Sequence, residues 1–463
     1  MRKRRTFQSF KFLIYLLGLM SLFCVLIGVN KLRPECLPHH SPVRCKMVHS
    51  DYTFLVTRRP LEASPLLNIT RHNERKETAK ETKIDTQKSS NDIVKAPKRG
   101  VKTSKDIARL SNNVPKPVPR TRTYTIAELM KRAKEDQHFL TKILSQSYWH
   151  RRTKDVLQRY FTGTGYSFEP EFKTDRNENL INDYDIYNDV MVFLHIQKTG
   201  GTHLNERLAS RLQIPFKCNC PEKQKVCPCL NPKGNVWIYS SRFSGWPCGL
   251  HADWTQLHRC LPGQLDLTER GTRNRRYFYF TQLRDPIARY MSEFYHQSVV
   301  GGHWQDALLG CGPGFSDWTD IRPCFVTETW RGVTLDNFMA CQHNLATNRM
   351  TRMLADLNRS DCYRNYLDKR AVYKRAMMWT ESAKENLQQM PYFGFMEDTE
   401  ASDKLFSHIF KMRFKVRSSN LRGRSSQIRI TEEQFMKLIK LVELDIHTYL
   451  FAKDLFQSRL RNL

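Results

Sequence analysis

Four residues in one short stretch have the types and spacing to hold an anion. In FLHIQKTGGTHLNERLASRL (193–212), Lys198 precedes Gly200, Gly201 and Thr202, with an apolar run before them and helix-spaced leucines after. At such a junction the first N–H groups of the helix have no intrahelical partner, and the helix dipole adds roughly half a positive charge. The glycines let backbone approach an anion without a Cβ in the way, Thr202 can donate a hydroxyl, and Lys198 supplies a full charge. Together these features suit a phosphate. A tight turn without a ligand is an equal reading of the stretch taken alone. The pattern G-x4-G-K-[ST] of nucleoside-triphosphate loops occurs nowhere in the chain, which weighs against kinase and ATPase chemistry.

A second pair lies further on. Arg284 follows the run YFYFTQL (277–283), and Ser292 stands eight residues later, about two helical turns on. Both can therefore face one further anionic group above a sheet edge. An ordinary Arg284–Asp285 contact with Ser292 on a solvated face is the competing reading.

These residues need a scaffold. VMVFLHI (190–196) and YFYFTQL read as strands, each followed by a turn and a helix-like segment, and Pro286 suits a helix's first turn. The rhythm predicts an α/β fold with a central parallel sheet flanked by helices. Helical spacing over 124–160 predicts one or two lead-in helices. A single helix is expected over 431–456, behind a capping box of Thr431 and Gln434.

The 463 residues carry a formal charge of +29, which points to an anionic partner. Residues 1–122 hold 26 Lys and Arg against 9 Asp and Glu. An uncharged 18-residue stretch, Phe12 to Val29, follows Arg2, Lys3, Arg4, Arg5 and Lys11. It predicts a cytosolic tail over 1–11, a transmembrane signal anchor over 12–29 and a lumenal remainder. A cleaved signal peptide is the alternative. The Lys- and Pro-punctuated segment 30–122 reads as a flexible basic stem.

Of 13 cysteines, ten lie between Cys218 and Cys362, which predicts a disulfide-stabilised domain in an oxidising compartment. The cluster CNCPEKQKVCPC has C-x-C pairs, a poor match to zinc-site spacing, so disulfides are favoured and no metal is expected. Asn68 and Asn358 head N-x-[ST] sequons and are candidate glycan sites.

The strings HIQKTGGT, RFSGWPCGLHADW, LRDPIARYMSEF and NLATNRMTRMLADL, in that order, resemble the heparan sulfate 6-O-sulfotransferase family from about Asp189 to Arg459. The resemblance implies a P-loop-like sulfotransferase fold, a lumenal domain over 123–463 and a Golgi-resident type II membrane enzyme. Such an enzyme moves a sulfuryl group from 3′-phosphoadenosine 5′-phosphosulfate to the 6-hydroxyl of glucosamine in heparan sulfate, with no nucleic acid partner. It also implies that His195, Ile196, Gln197, Lys198, Thr199, Gly200, Gly201 and Thr202 bind the donor's phosphosulfate, and that Arg284 and Ser292 bind its 3′-phosphate. Ser419, Asn420 and Arg422 would close over the donor. His251 would be the catalytic base, and a neutral imidazole suits that task because it can take a hydroxyl proton near neutral pH. By the same resemblance, Lys225, Arg242, Trp246, His296 and Trp304 would contact the acceptor.

The chain departs from the family pattern at Val226, where a second lysine is expected, and at His203-Leu204, where a hydroxyl residue and Phe are expected. Its RFSGW stretch is one residue short. Other acceptor positions, such as a uronic acid 2-hydroxyl or a chondroitin chain, and a non-catalytic, membrane-tethered heparan-sulfate-binding protein are the alternative readings.

Overall fold

The computed structural model describes residues 32–36, 45–49, 122–145, 151–165, 184–220, 226–302, 324, 325, 327, 329–363, 369–415 and 424–463. The expected anchor at 12–29 lies outside them. Among the described residues no helix is long and apolar enough to cross a membrane. The chain divides into two units, Met1–Asp106 and Ile107–Leu463. In the first, within the expected stem, β1 (Leu32–Cys36) pairs antiparallel with β2 (Cys45–His49), and Cys36 stands opposite Cys45.

The second unit opens with a two-residue strand, β3 (Tyr124–Thr125). Thr125 then caps the helix Ile126–Glu135 through a reciprocal bond with Glu128. Two more lead-in helices follow, Gln137–Ser145 and Arg151–Thr162. The three helices, where one or two were expected, bury Leu129, Phe139, Ile143 and Leu157, so the lead-in belongs to the core.

β4 (Val190–Leu194) is buried at every position, as a strand covered on both faces must be. The short β5 (Leu212–Gln213) lies outside the main sheet, and β6 (Ile238–Tyr239), β7 (Tyr277–Leu283) and β8 (Tyr392–Phe395) join it. The main sheet runs in the order β6-β4-β7-β8, and every pairing is parallel. Its helical layers include Gly201–Ser210, Trp254–Glu269, Pro286–Tyr295 and Thr399–Phe410. The expected α/β architecture is therefore observed.

The chain leaves β4 towards β6, and leaves β7 towards β8 on the other side. The crevice beyond the carboxyl ends of β4 and β7 is thus a topological switch point, where open α/β sheets bind ligands.

The segment after Thr431 differs from expectation. Its capping box with Gln434 is present, but the helix is broken into Glu432–Leu441 and Glu443–Arg461. Asn348 supplies the physical reason. Its N–H donates to the Leu441 carbonyl, and its side-chain oxygen accepts from the N–H groups of Leu444 (3.0 Å) and Asp445 (3.4 Å). Helix ends need such outside partners, and Asn348 serves both at the junction around Val442.

Cys218–Cys229, Cys220–Cys227, Cys248–Cys260 and Cys324–Cys341 are paired as disulfides. The C-x-C cluster is thereby used covalently. Among the described residues no group of three or more His, Cys, Asp or Glu is placed to hold a metal ion.

Candidate active site

The turn after β4 is built by backbone. Thr281 Oγ1 donates to the Leu194 carbonyl (2.7 Å) and pins the strand end, and Thr199 Oγ1 donates to the Ile196 carbonyl (2.9 Å) and closes the loop. Lys198 takes a φ of 68° and Gly200 one of 89°, both in the left-handed region. Gly200 is the N-cap of the helix Gly201–Ser210 and provides no side-chain cap, so the first helical N–H groups are left for a ligand. At Gly201 a Cβ would come within 2.1 Å of the His195 ring, so only glycine allows the imidazole to pack there. Arg284 Nη1 donates to the Lys198 carbonyl (3.0 Å), joining the second strand end to the loop.

A cavity of about 690 Å³ sits over this crevice. It brings together ten of the residues expected from sequence: His195, Gln197, Lys198, Gly200, Gly201, Thr202, His251, Arg284, Ser292 and His296. Ile196 and Thr199 are fully buried and do not line it, so their side chains serve the loop's shape and only their backbone is left for a ligand. Arg242 and Trp246 lie outside the lining, and Trp246 is 53% exposed. His203 is half-buried and also outside the lining. Asn358 is exposed in the short turn Leu357–Ser360. Lys225, Trp304, Ser419, Asn420, Arg422 and Asn68 lie outside the described residues.

His251 is held in one tautomer. Its Nδ1 lies 3.2 Å from the His195 carbonyl, and a carbonyl only accepts, so Nδ1 carries the hydrogen and Nε2 keeps its lone pair. The two rings meet edge to face, 4.7 Å between centroids. Enclosure by protein pushes His251 down to about 4. The His195 carbonyl and Glu293 oppose the shift, and Arg349 and Lys198 reinforce it. His251 is therefore neutral at pH 7. Burial also lowers the Lys198 ammonium and the Arg284 guanidinium from their ordinary values.

Apart from His296, the opposite wall was not foreseen in the sequence. After the helix Pro286–Tyr295, a π-turn at His296–Val300 carries His296, Gln297 and Val300 into the cavity, followed by Gly301 and Gly302. Such π-turns often occur at functional sites. Glu293 and Arg349 also line it, together with Leu250, Leu345 and Met396. Glu293 is buried, accepts from Arg289 Nη1 and Arg349 Nη2, and takes Arg349 Nε at 3.0 Å. Burial resists its ionisation, but Arg349 and Arg289 outweigh that and hold the carboxyl at about 2. Adjacency to Ser292 was the available signal for Glu293. Arg349 lies in NLATNRMTRMLADL without any local pattern that marks a role.

The arrangement can hold a dianionic group at the loop and a second anion beside Arg284, with an imidazole lone pair available in the same cavity. Three cavity groups add to the fit: Gln197 Oε1, Gln297 Oε1 and His195 Nδ1 are buried without a protein partner among the described residues. A ligand bearing donors as well as anionic oxygens would satisfy them.

Known proteins resemble the chain over the region that holds this cavity. The sulfotransferase family model matches residues 186–452, which contain the whole cavity lining. "Heparan-sulfate 6-O-sulfotransferase 2" of Danio rerio is 38% identical over 300 residues, 63% of this chain and 64% of that protein. "Heparan-sulfate 6-O-sulfotransferase 1" of Homo sapiens is 39% identical over 275 residues, 58% of this chain and 66% of that protein. For "Heparan-sulfate 6-O-sulfotransferase 2" of Gallus gallus the values are 37% over 298 residues, 63% and 73%. The chain thus spans about two thirds of the length of these relatives. With the family model covering more than half of its residues and the strand-loop-helix site in place, this chain belongs to the sulfotransferase family.

Proposed function

We propose that the chain transfers a sulfuryl group from 3′-phosphoadenosine 5′-phosphosulfate to the 6-hydroxyl of glucosamine residues in heparan sulfate. The observation that carries this reading is the single cavity in which His251, Lys198, the Gly201 helix start, Arg284 and Ser292 all meet. Relatives named for this activity on heparan sulfate support it.

The donor supplies an electrophilic sulfur joined to a phosphate leaving group. His251 Nε2, freed by the Nδ1 bond to His195, takes the proton of the acceptor hydroxyl as its oxygen bonds to sulfur. As the sulfur–phosphate oxygen bond breaks, its electron pair stays on the phosphate. There Lys198 and the uncapped N–H groups of the Gly201 helix oppose the growing charge. Arg284 and Ser292 hold the 3′-phosphate. His251 gains basicity when polyanions occupy the cavity, since their charge favours its protonated form.

His296, Arg242, Trp246, Lys225 and Trp304 are proposed acceptor contacts, and Ser419, Asn420 and Arg422 proposed donor contacts. We further propose a Golgi location with 12–29 as a type II anchor, and glycans on Asn68 and Asn358.

Incubation with labelled donor and 6-O-desulfated heparin, followed by disaccharide analysis, tests the reading. Label on the glucosamine 6-position is expected. Label confined to uronic acid 2-positions would replace the acceptor assignment, and no transfer by folded protein would leave a binding protein.

A further inference from the structure

The role of Arg349 follows from how its guanidinium is held. Both oxygens of Glu293 are committed to the Arg289–Arg349 side: Oε2 takes Arg349 Nε at 3.0 Å and Arg289 Nη1, and Oε1 takes Arg349 Nη2. This two-point clamp fixes the plane of the Arg349 guanidinium. Its third nitrogen, Nη1, has no protein partner among the described residues. The residue is only 4% exposed, yet it lines the cavity that holds His251, Ser292 and His296.

The backbone around it is equally fixed. Asn348, with a φ of 45°, caps the helix break after Leu441, and Asp445 accepts from the N–H groups of Met350 (3.2 Å) and Thr351 (2.8 Å). Asp445 also lies 3.8 Å from Arg289 Nε, so Arg289 faces a second carboxylate besides the Glu293 it shares with Arg349. An oriented guanidinium with one unspent N–H edge, lining the cavity beside His251, is built to meet an acidic oxygen.

We propose that Arg349 is a further substrate contact of this site, donating through Nη1 to a sulfonate or carboxylate oxygen bound beside His251. The inference rests on the transfer reading above. The oxygen belongs either to the sulfuryl group in transfer or to an acidic substituent of the acceptor. Glu293 is the positioning residue that aims the guanidinium. Arg289 is the internal control, because it bonds the same Glu293 but is fully buried and absent from the cavity lining.

The test compares Arg349→Lys with Arg289→Lys in the full chain, both checked for folding by thermal melting. Arg349→Lys is expected to lower kcat/KM by about tenfold or more, with affinity for adenosine 3′,5′-bisphosphate within about twofold of wild type. A fall in kcat with both KM values kept assigns the oxygen to the sulfuryl group. A rise in acceptor KM assigns it to the polysaccharide. Arg289→Lys is expected to keep kcat and both KM values even where it melts earlier.

A second readout is the pH profile of Arg349→Gln. His251 is surrounded by His195, Lys198, Glu293 and Arg349, and loss of the Arg349 charge moves the acid limb of kcat/KM to higher pH. Arg289→Gln is expected to leave that limb in place. Binding of inorganic sulfate in the presence of the bisphosphate, and of a 6-O-desulfated heparin hexasaccharide, gives a readout independent of turnover. A wild type that transfers nothing would refute the transfer reading. The contact itself is refuted if folded Arg349→Lys and Arg289→Lys behave alike in turnover and in both binding measurements.

Discussion

The two walls of the cavity are made in opposite ways. The loop wall, His195 to Thr202, is consecutive in sequence and is shaped by backbone: two left-handed residues, an uncapped helix start and a glycine packed against an imidazole. The facing wall is made of side chains brought together from afar. Glu293 and Arg349 are 56 residues apart, and the Asn348 cap on Leu444 spans 96. The first wall tolerates little change of shape, the second little change of charge.

Substitutions that exchange those sensitivities test the contrast, and the largest effect belongs to charge. Glu293→Gln leaves Arg289 and Arg349 facing each other without their shared carboxylate, and breaking a buried pair in this way costs about 3–5 kcal/mol. Chemical denaturation is the measurement. The same group sets an acid limit. Its carboxyl sits at about 2, below its ordinary value, so its stabilising contribution is complete above about pH 4.5 and is lost as pH falls towards 2. Stability of Glu293→Gln is expected to fall less steeply across that window, and an unchanged slope would contradict the assignment.

Shape comes next. Gly201→Ala forces a Cβ onto the His195 ring, at a cost of about 1–3 kcal/mol from overpacking. Bisphosphate affinity, read by calorimetry, is expected to drop by about tenfold or more as the loop shifts. Retained affinity would show that the loop does not bind the donor through its backbone.

Asn348→Gly keeps the left-handed backbone but removes the acceptor for Leu444 and Asp445 N–H groups. A loss of about 1 kcal/mol is expected, with kcat reduced more than bisphosphate binding because Arg349 moves and the loop does not. The smallest effect is spectroscopic. Adding adenosine 3′,5′-bisphosphate raises the His251 imidazole from about 4, read as a shift of its NMR titration midpoint.

The same contrast explains what could be read from the sequence. VMVFL and YFYFTQL declared buried parallel strands by continuous apolar runs, and the glycine pair after Lys198 declared its loop, because these signals are local. That the C-x-C cysteines form disulfides was legible in their spacing, but which cysteine pairs with which was not. The break at Val442 was invisible, since an unbroken helical pattern runs through it and the interrupting side chain, Asn348, is distant in sequence. Arg349 was unreadable for the same reason: its partner and its aim are set by tertiary packing. His251 came from resemblance, and only the fold supplied the carbonyl that selects its tautomer.

The central claim is that His251 is the base in a donor-dependent sulfuryl transfer. Its most direct test is transfer from labelled donor to 6-O-desulfated heparin by His251→Ala, with bisphosphate affinity measured on the same preparation. The account predicts affinity close to wild type and a loss of transfer of about a hundredfold or more. Undiminished transfer by the variant would contradict it.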